Sequence, residues 1–271
     1  MARHWRLILD GNRGAAFNMA ADEAILRACA DGVVSPTLRL YSWQRPAISV
    51  GHFQSIERSR IDIQYCHDAG IELVRRPTGG RAVLHGHDLT FSVALHECRI
   101  PNGFRKVLPS HMWLMGGIAA GLRLLGIQAE IGPASESGSP SVDNGDCFAR
   151  VAQCDLRLGS EKLAGAAQVR KWGALLEQGS MPCAPSQVDY GRVFAEGGSS
   201  LQTWRSPVLE VPRETLEAAV VRGCEQSLGV TLEPGVLSAR ELEMALELEK
   251  NKYASGEWTY RRGAPCIDKR I

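Results

Sequence analysis

The sequence predicts an α+β fold, and three observations carry that expectation. Residues 71–95 hold three strand-like runs in quick succession, turning at Thr78-Gly79-Gly80 and again at Gly86. Residues 148–181 repeat the strand-rich pattern. Helical stretches stand at 104–125 and through most of the last third, from Pro212 onward. Mixed strands and helices with antiparallel hairpins define the class.

Taken in order, residues 5–9 read as a short strand and residues 18–30 as an amphipathic helix with Met19, Ile25, Leu26 and Cys29 inward. Strands follow at 38–41 and 47–50, separated by a turn at Gln44-Arg45-Pro46. Residues 61–69 form a helix that stops at Gly70, the residue best suited to a left-handed C-terminal cap. The next strands are 71–74, 82–85 and 89–95. A long helix spans 104–125, interrupted early by Pro109 and ended by Gly126; Gly117 and Gly121 suit close packing of helix on sheet. Residues 133–146 are rich in Ser, Gly, Pro and Asp and read as an exposed loop. Strand-like segments at 148–158, 162–169 and 174–181 come next. Pro212 opens a helix through Leu216, Ala219, Val220, Cys224 and Leu228, and Ser238 with Glu241 has capping-box spacing for the following one.

Composition removes several function classes. The chain has 271 residues, of which 44% are hydrophobic and 23% charged, so it can build a substantial core and is not disordered. A net charge of +1 argues against a dedicated nucleic-acid binder. The longest apolar-rich stretch without charge, residues 112–122, falls short of the roughly 18–20 residues that cross a bilayer, so no membrane association is expected. The first ten residues carry only a three-residue apolar run, so no secretion signal is expected and the chain is placed in the cytoplasm.

The eight cysteines, at 29, 66, 98, 147, 154, 183, 224 and 266, never approach closer than seven residues, which excludes zinc-ribbon and thioredoxin spacings. Dinucleotide, P-loop, zinc-protease and nucleophile-elbow motifs are absent. His85-Gly86-His87 sets two imidazoles on one side of an extended segment, but no further ligands follow at a suitable spacing, so no metal is expected.

Two local signals remain. In Arg75-Arg76-Pro77-Thr78-Gly79-Gly80-Arg81 the paired glycines let the main chain approach a ligand, and the arginines suit a carboxylate or phosphate. A tight hairpin with solvated arginines fits the same residues. Cys147 stands where the long polar loop gives way to a strand, and a nearby ammonium such as that of Lys162 would favour its thiolate. A structural cysteine and a surface lysine fit as well. In a plain hairpin turning at Gly159-Ser160, Lys162 faces Arg157, so contact with Cys147 needs the chain to bend back before Asp155.

In order along the chain, Phe17-Asn18-Met19-Ala20-x-Asp22-Glu23-Ala24, Ser49-Val50-Gly51-x-Phe53-Gln54, the 75–85 loop, Leu89-Thr90-x-Ser92-Val93, Cys147-Phe148, Lys162-x-Ala164-Gly165-x-Ala167-Gln168 and Lys252-Tyr253-Ala254-Ser255-x-Glu257-Trp258 resemble the lipoate–protein ligase/octanoyltransferase family, which shares its catalytic fold with biotin ligase. The resemblance covers nearly the whole chain. It implies a single catalytic domain over residues 1–271, with a core at about residues 30–230 completed by C-terminal helices. It implies an acyltransferase that moves octanoate from octanoyl-acyl carrier protein to a lysine of a lipoyl domain, as in the glycine cleavage H protein or 2-oxoacid dehydrogenase E2 subunits, without ATP or another cofactor.

Residue roles follow from the same resemblance. Cys147 matches the cysteine that carries the acyl group as a thioester, and Lys162 the lysine that lowers the thiol's pKa and contacts the acyl carbonyl. Arg76, Gly79, Gly80, Arg81, Ala82, Val83, Leu84 and His85 match the pocket-lining loop, and Gly165, Ala166 and Ala167 the strand facing it. His85 fits either a proton shuttle or a satisfied structural histidine. Arg75, Arg81, Arg99, Arg105 and Lys106 fit either a docking patch for an acidic carrier or a solvated basic surface. Ligases of the family usually carry a third glycine where this chain has Arg81 and lack Cys147, which favours the transferase over an ATP-dependent ligase. The remaining alternatives are an octanoyl amidotransferase between lipoyl domains and a non-enzymatic binding module.

Overall fold

A computed structural model describes residues 3–132, 153–194 and 206–260. Its elements in chain order are β1 (Arg3–Arg13), α1 (Ala15–Ala30), β2 (Thr37–Trp43), β3 (Ala47–Val50), α2 (Ile63–Asp68), β4 (Glu72–Arg75), β5 (Val83–His85), β6 (Asp88–His96), α3 (Val107–Leu124), β7 (Glu130–Ile131), β8 (Leu156–Leu158), β9 (Glu161–Lys171), β10 (Ala174–Pro182), α4 (Tyr190–Val193), α5 (Arg213–Leu228), β11 (Val230–Pro234), α6 (Ala239–Leu248) and α7 (Gly256–Tyr260). Eight strands form one mixed sheet in the order β11-β1-β2-β6-β10-β9-β8-β7, and β4-β3-β5 form a second. The class is α+β, as the sequence predicts.

The central strands of the large sheet have two unlike faces. Leu38 and Leu40 of β2, Leu89, Phe91, Val93 and Leu95 of β6, and Leu175 of β10 join the main apolar core with Trp113, Leu114, Ile118 and Leu122 of α3 and Leu216, Val220 and Leu228 of α5. The opposite side of the same strands carries Arg39, Tyr41, Asp88, Thr90, Ser92 and Gln178, and these are also buried. Helix α1, itself almost wholly buried, covers that face. A two-residue alternation normally marks a half-solvated strand; here both halves are inside.

Several expectations are corrected. Strands β4 and β5 do not form a hairpin: β3 lies between them, parallel to β4 and antiparallel to β5, so the 75–85 segment is a crossover over a strand end. Pro109 does not interrupt its helix, because α3 begins only two residues earlier and a first-turn N–H has no intrahelical partner to lose. Of residues 148–158, only Leu156–Leu158 is strand among those described, and the short strands β7 and β11 were not foreseen. The loop at 133–146 lies outside the described residues. The capping box of α6 is present with both of its bonds.

Gly117 and Gly121 face helix α5 rather than the sheet. A Cβ on Gly121 would stand 2.6 Å from the Ala219 carbonyl oxygen, and one on Gly223 would stand 2.0 Å from the Gly121 nitrogen. The two helix backbones therefore touch, a contact only glycine permits. Gly223→Ala is expected to lower stability by about 2 kcal/mol or more, since no flexible side chain can yield. Thermal unfolding of the variant checks this; an unchanged Tm would show that the helices are not in backbone contact.

Candidate active site

Between the two sheets lies an open pocket with about 420 Å³ of non-atom space, open solvent included. The small sheet and its loop contribute Ser49, Arg76, Gly80, Val83 and His85; the large sheet contributes Tyr41, Trp43, Thr90, Gly165, Ala166, Ala167, Gln178, Gly179 and Ser180; α1 contributes Met19. Met19, Trp43, Val83, Ala166 and Ala167 make much of the lining apolar.

Behind the lining, two buried carboxylates are surrounded by donors. The Asp22 carboxylate, fully buried, accepts from Arg39 at 2.8 Å, Ser92 at 2.7 Å, Tyr41 at 2.9 Å and Gln178 at 2.7 Å. Gln178 in turn accepts from the Thr78 hydroxyl at 2.9 Å, which ties the floor of the pocket to the glycine loop. Asp88 accepts from His85 Nδ1 at 2.7 Å, Thr90 at 2.7 Å, Ser180 at 2.6 Å and the Gly86 N–H at 3.1 Å. Burial opposes the Asp88 anion, yet the charge and hydrogen bond of His85 hold its carboxyl well below the usual range. His85 stacks on Trp43 with ring centroids 4.0 Å apart, and its Nε2 lies 2.8 Å from the Ser49 hydroxyl. Both ring nitrogens are thus engaged inside the wall, which is the structural reading of this histidine. His87 instead meets the edge of Tyr190, so the two imidazoles serve different neighbours.

The loop arginines act on the backbone. Arg76 donates to the carbonyls of Gly79, Arg81 and Ser49 at 2.6–2.7 Å and to the Ser49 hydroxyl at 3.1 Å. It fixes the loop that an anion-holding arginine would leave open. Arg75 is fully buried and donates to the carbonyls of Gly51, Gln54 and Thr259, so it is no part of a surface docking patch; Arg99, Arg105 and Lys106 are exposed and Arg81 half-buried. Gly80 adopts φ +87°, and a Cβ on Gly51 would stand 1.9 Å from its carbonyl oxygen, so two glycines are needed where the loop folds over β3. Of residues 82–84, Val83 lines the pocket, whereas Ala82 and Leu84 pack into the separate core under α2 and α4.

Gly165, Ala166 and Ala167 line the facing wall. Lys162 opposes Arg157 in the β8–β9 register, as a plain hairpin requires, but its ammonium reaches Asp155 at 2.7 Å with both side chains 4% exposed. Cys147 lies outside the described residues. Burial pushes the thiols of Cys29 and Cys224 up to about 12 and those of Cys66 and Cys183 up to about 11, so none of these four is a thiolate at neutral pH. Among the described residues no group of three metal-ligating side chains occurs, and no helix is long and apolar enough to cross a membrane.

The pocket residues that sequence reasoning missed are Met19, Tyr41, Trp43, Ser49, Thr90, Gln178, Gly179 and Ser180. Met19, Ser49 and Thr90 stand inside motifs already singled out; the others carry no local mark.

A second titratable cluster sits beside this wall. His111 of α3 pairs with Glu177 of β10 and lies beside the buried Cys154. Burial disfavours its cation, but the bonds and charges of Cys154 and Glu177 push it up to about 10. A pKa raised on folding stabilises fully below the unfolded value near 6.5 and is lost as pH climbs towards 10. The wild-type protein is therefore expected to lose stability between those limits more steeply than His111→Gln, as urea titrations at several pH values would show; parallel curves contradict the assignment.

The profile of the "Lipoyl protein ligase A/B catalytic domain" matches residues 14–217. A relative named octanoyltransferase LipM from Kyrpidia tusciae is 36% identical, over 95% of this chain and 99% of its own. The Bacillus subtilis protein of the same name is 33% identical over 95% of this chain and 98% of its own. A crystal structure of lipoate-protein ligase A bound with ATP superposes with a TM-score of 0.78 at 27% identity, over 96% of this chain and 99% of that one. Matched along three quarters of its length, and aligned end to end with these relatives, this chain belongs to the lipoyl protein ligase A/B catalytic domain family.

Proposed function

We propose that the protein is an acyltransferase of this family that moves octanoate from octanoyl-acyl carrier protein to a lysine of a lipoyl domain, through a thioester on Cys147. The support is the apolar pocket between the sheets, with Gly165 in its wall and Lys162 packed against that glycine, in a chain whose relatives are named octanoyltransferases. Such a pocket gains about 0.8 kcal/mol for each methylene it buries, so its depth reads chain length. Met19 of α1, with Tyr41, Trp43 and Gln178, lines this pocket.

In the first half-reaction the Cys147 thiolate attacks the donor thioester, forming the enzyme thioester, and the carrier sulfur leaves as a thiolate that takes a proton from solvent. In the second, the neutral acceptor lysine amine attacks the enzyme thioester, the C–S bond breaks, and an amide, the Cys147 thiolate and one proton released to solvent result. Neither half needs ATP, because one thioester replaces another and the amide is lower in free energy. Each tetrahedral state places negative charge on the carbonyl oxygen, for which the Lys162 ammonium and loop N–H groups are the donors. Lipoyl-domain proteins, such as the glycine cleavage H protein or 2-oxoacid dehydrogenase E2 subunits, are the acceptors in this reading. The cytoplasm, where carrier and acceptor meet, is its location.

Incubating the enzyme with octanoyl-acyl carrier protein and a lipoyl domain, without ATP, tests the proposal by intact mass. The expected result is an octanoyl adduct on Cys147 followed by one on the acceptor lysine. Cys147→Ser should abolish the first adduct, Cys154→Ser should keep it, and Lys162→Ala should slow transfer on the order of 10²-fold. Acylation only with ATP and free acid would establish the ligase instead; acylation only from an octanoylated lipoyl domain would establish the amidotransferase.

A further inference from the structure

We propose that Asp155 is a positioning residue that holds and aims the Lys162 ammonium; the inference rests on the acyl-transfer reading above. The two side chains meet at 2.7 Å, each 4% exposed. A lysine so buried loses its proton readily unless an anion compensates the lost hydration, and a neutral amine is a weak donor to a developing oxyanion.

The pair has a built place at the pocket wall. A Cβ on Gly165 would stand 2.7 Å from Lys162 Cε and Nζ and 3.4 Å from Asp155 Oδ1. The ion pair therefore lies against bare backbone at a residue that lines the pocket, and any larger residue there would displace the ammonium. The turn that carries Asp155 is fixed on both sides. The Asp155 carbonyl accepts from Gly132 N–H at 2.9 Å, and the preceding residue, Cys154, is buried beside His111, which Glu177 holds from β10. A carboxylate set on a turn tied to a neighbouring strand, α3 and β10 cannot follow a wandering lysine; it fixes where the ammonium sits.

Other charged groups around the pair, among the described residues, are accounted for. Arg157, opposite Lys162 in register, turns its guanidinium to Glu130 and to the carbonyls of Gly132 and Gly159. Glu161 is exposed at the start of β9, and His111 with Glu177 forms its own pair. Among the described residues, Asp155 brings a carboxylate into contact with the Lys162 ammonium.

The experiment compares full-length wild type, Asp155→Asn and Asp155→Glu for transfer from octanoyl-acyl carrier protein to a lipoyl domain between pH 6 and pH 10, with circular dichroism to score the folded fraction. In Asp155→Asn, kcat per folded enzyme should fall between about 10-fold and 100-fold with KM nearly unchanged. The alkaline limb of its profile should move at least about one pH unit downward, because the amine loses its proton sooner without the anion. Asp155→Glu should restore part of kcat and move the limb back. A limb that stays in place, or a loss that tracks the folded fraction alone, overturns the inference while leaving acyl transfer standing. Carbon-13 labelling at lysine Cε, with Lys162 identified by its absence in Lys162→Arg, reads the same point without turnover. Titration of that signal at lower pH in Asp155→Asn is expected, and an unmoved titration overturns the inference. Absence of any transfer by the wild type would instead sink the acyl-transfer reading.

Discussion

A carboxylate with no access to water must be surrounded by donors, and the architecture of this molecule follows from meeting that demand at Asp22. Its four partners come from β2, β6 and β10, three neighbouring strands of the large sheet, while Asp22 itself belongs to α1. The helix is thereby fixed in both position and rotation across the sheet. Arg39, also fully buried, bridges Asp22 to Asp10 of β1 and to Asn18 of α1 and lies 4.0 Å over the Tyr41 ring. Removing one member of such a group would leave its partner charged and unmatched, which costs far more than the pair contributes when whole. Location is what the network supplies.

That location shapes the pocket. Gln178 spends its amide on Asp22 and its carbonyl on Thr78, so one side chain couples the helix-covered face of the sheet to the loop above it. Asp88 does the same from the other side, through His85 and Ser49 to Arg76, which gathers the loop carbonyls. Apolar lining and polar scaffold are thus separated by a single layer of residues. The pocket is apolar where a chain would lie and rigid because the groups behind it are hydrogen-bonded.

The C-terminal residues close the arrangement. Glu23 of α1 accepts from Arg27, Lys252 and the Tyr253 hydroxyl, and the Trp258 indole donates to the carbonyl of Arg75. Arg75 returns the contact to Thr259 and holds the 51–54 backbone that underlies the glycine loop. The motif at 252–258 therefore serves the pocket from a distance, as a brace on the residue next to Arg76.

Local sequence determined a good deal. The helices of residues 18–30 and 212–228, the stop at Gly70, the capping box at Ser238 and the α+β class all follow from periodicity and from residues with one backbone use. The glycine loop was legible from its paired glycines, whereas its pairing with the Gly165–Ala167 strand came from the family resemblance and not from local chemistry. The strands expected at 38–41 and 89–95 are present, slightly longer, but a polar residue at alternate positions ordinarily means a wet face. Only the packing of α1 over that face turned Arg39, Thr90, Ser92 and Gln178 into interior groups and some of them into pocket wall. The same limit applied to Arg75, which reads as a surface cation and sits in the interior, and to Lys162, whose strand partner is Arg157 but whose counter-ion is Asp155. Spacing along a chain fixes which residues are near neighbours in one element; which charges meet is settled by how separate elements stack, and burial then makes those meetings obligatory.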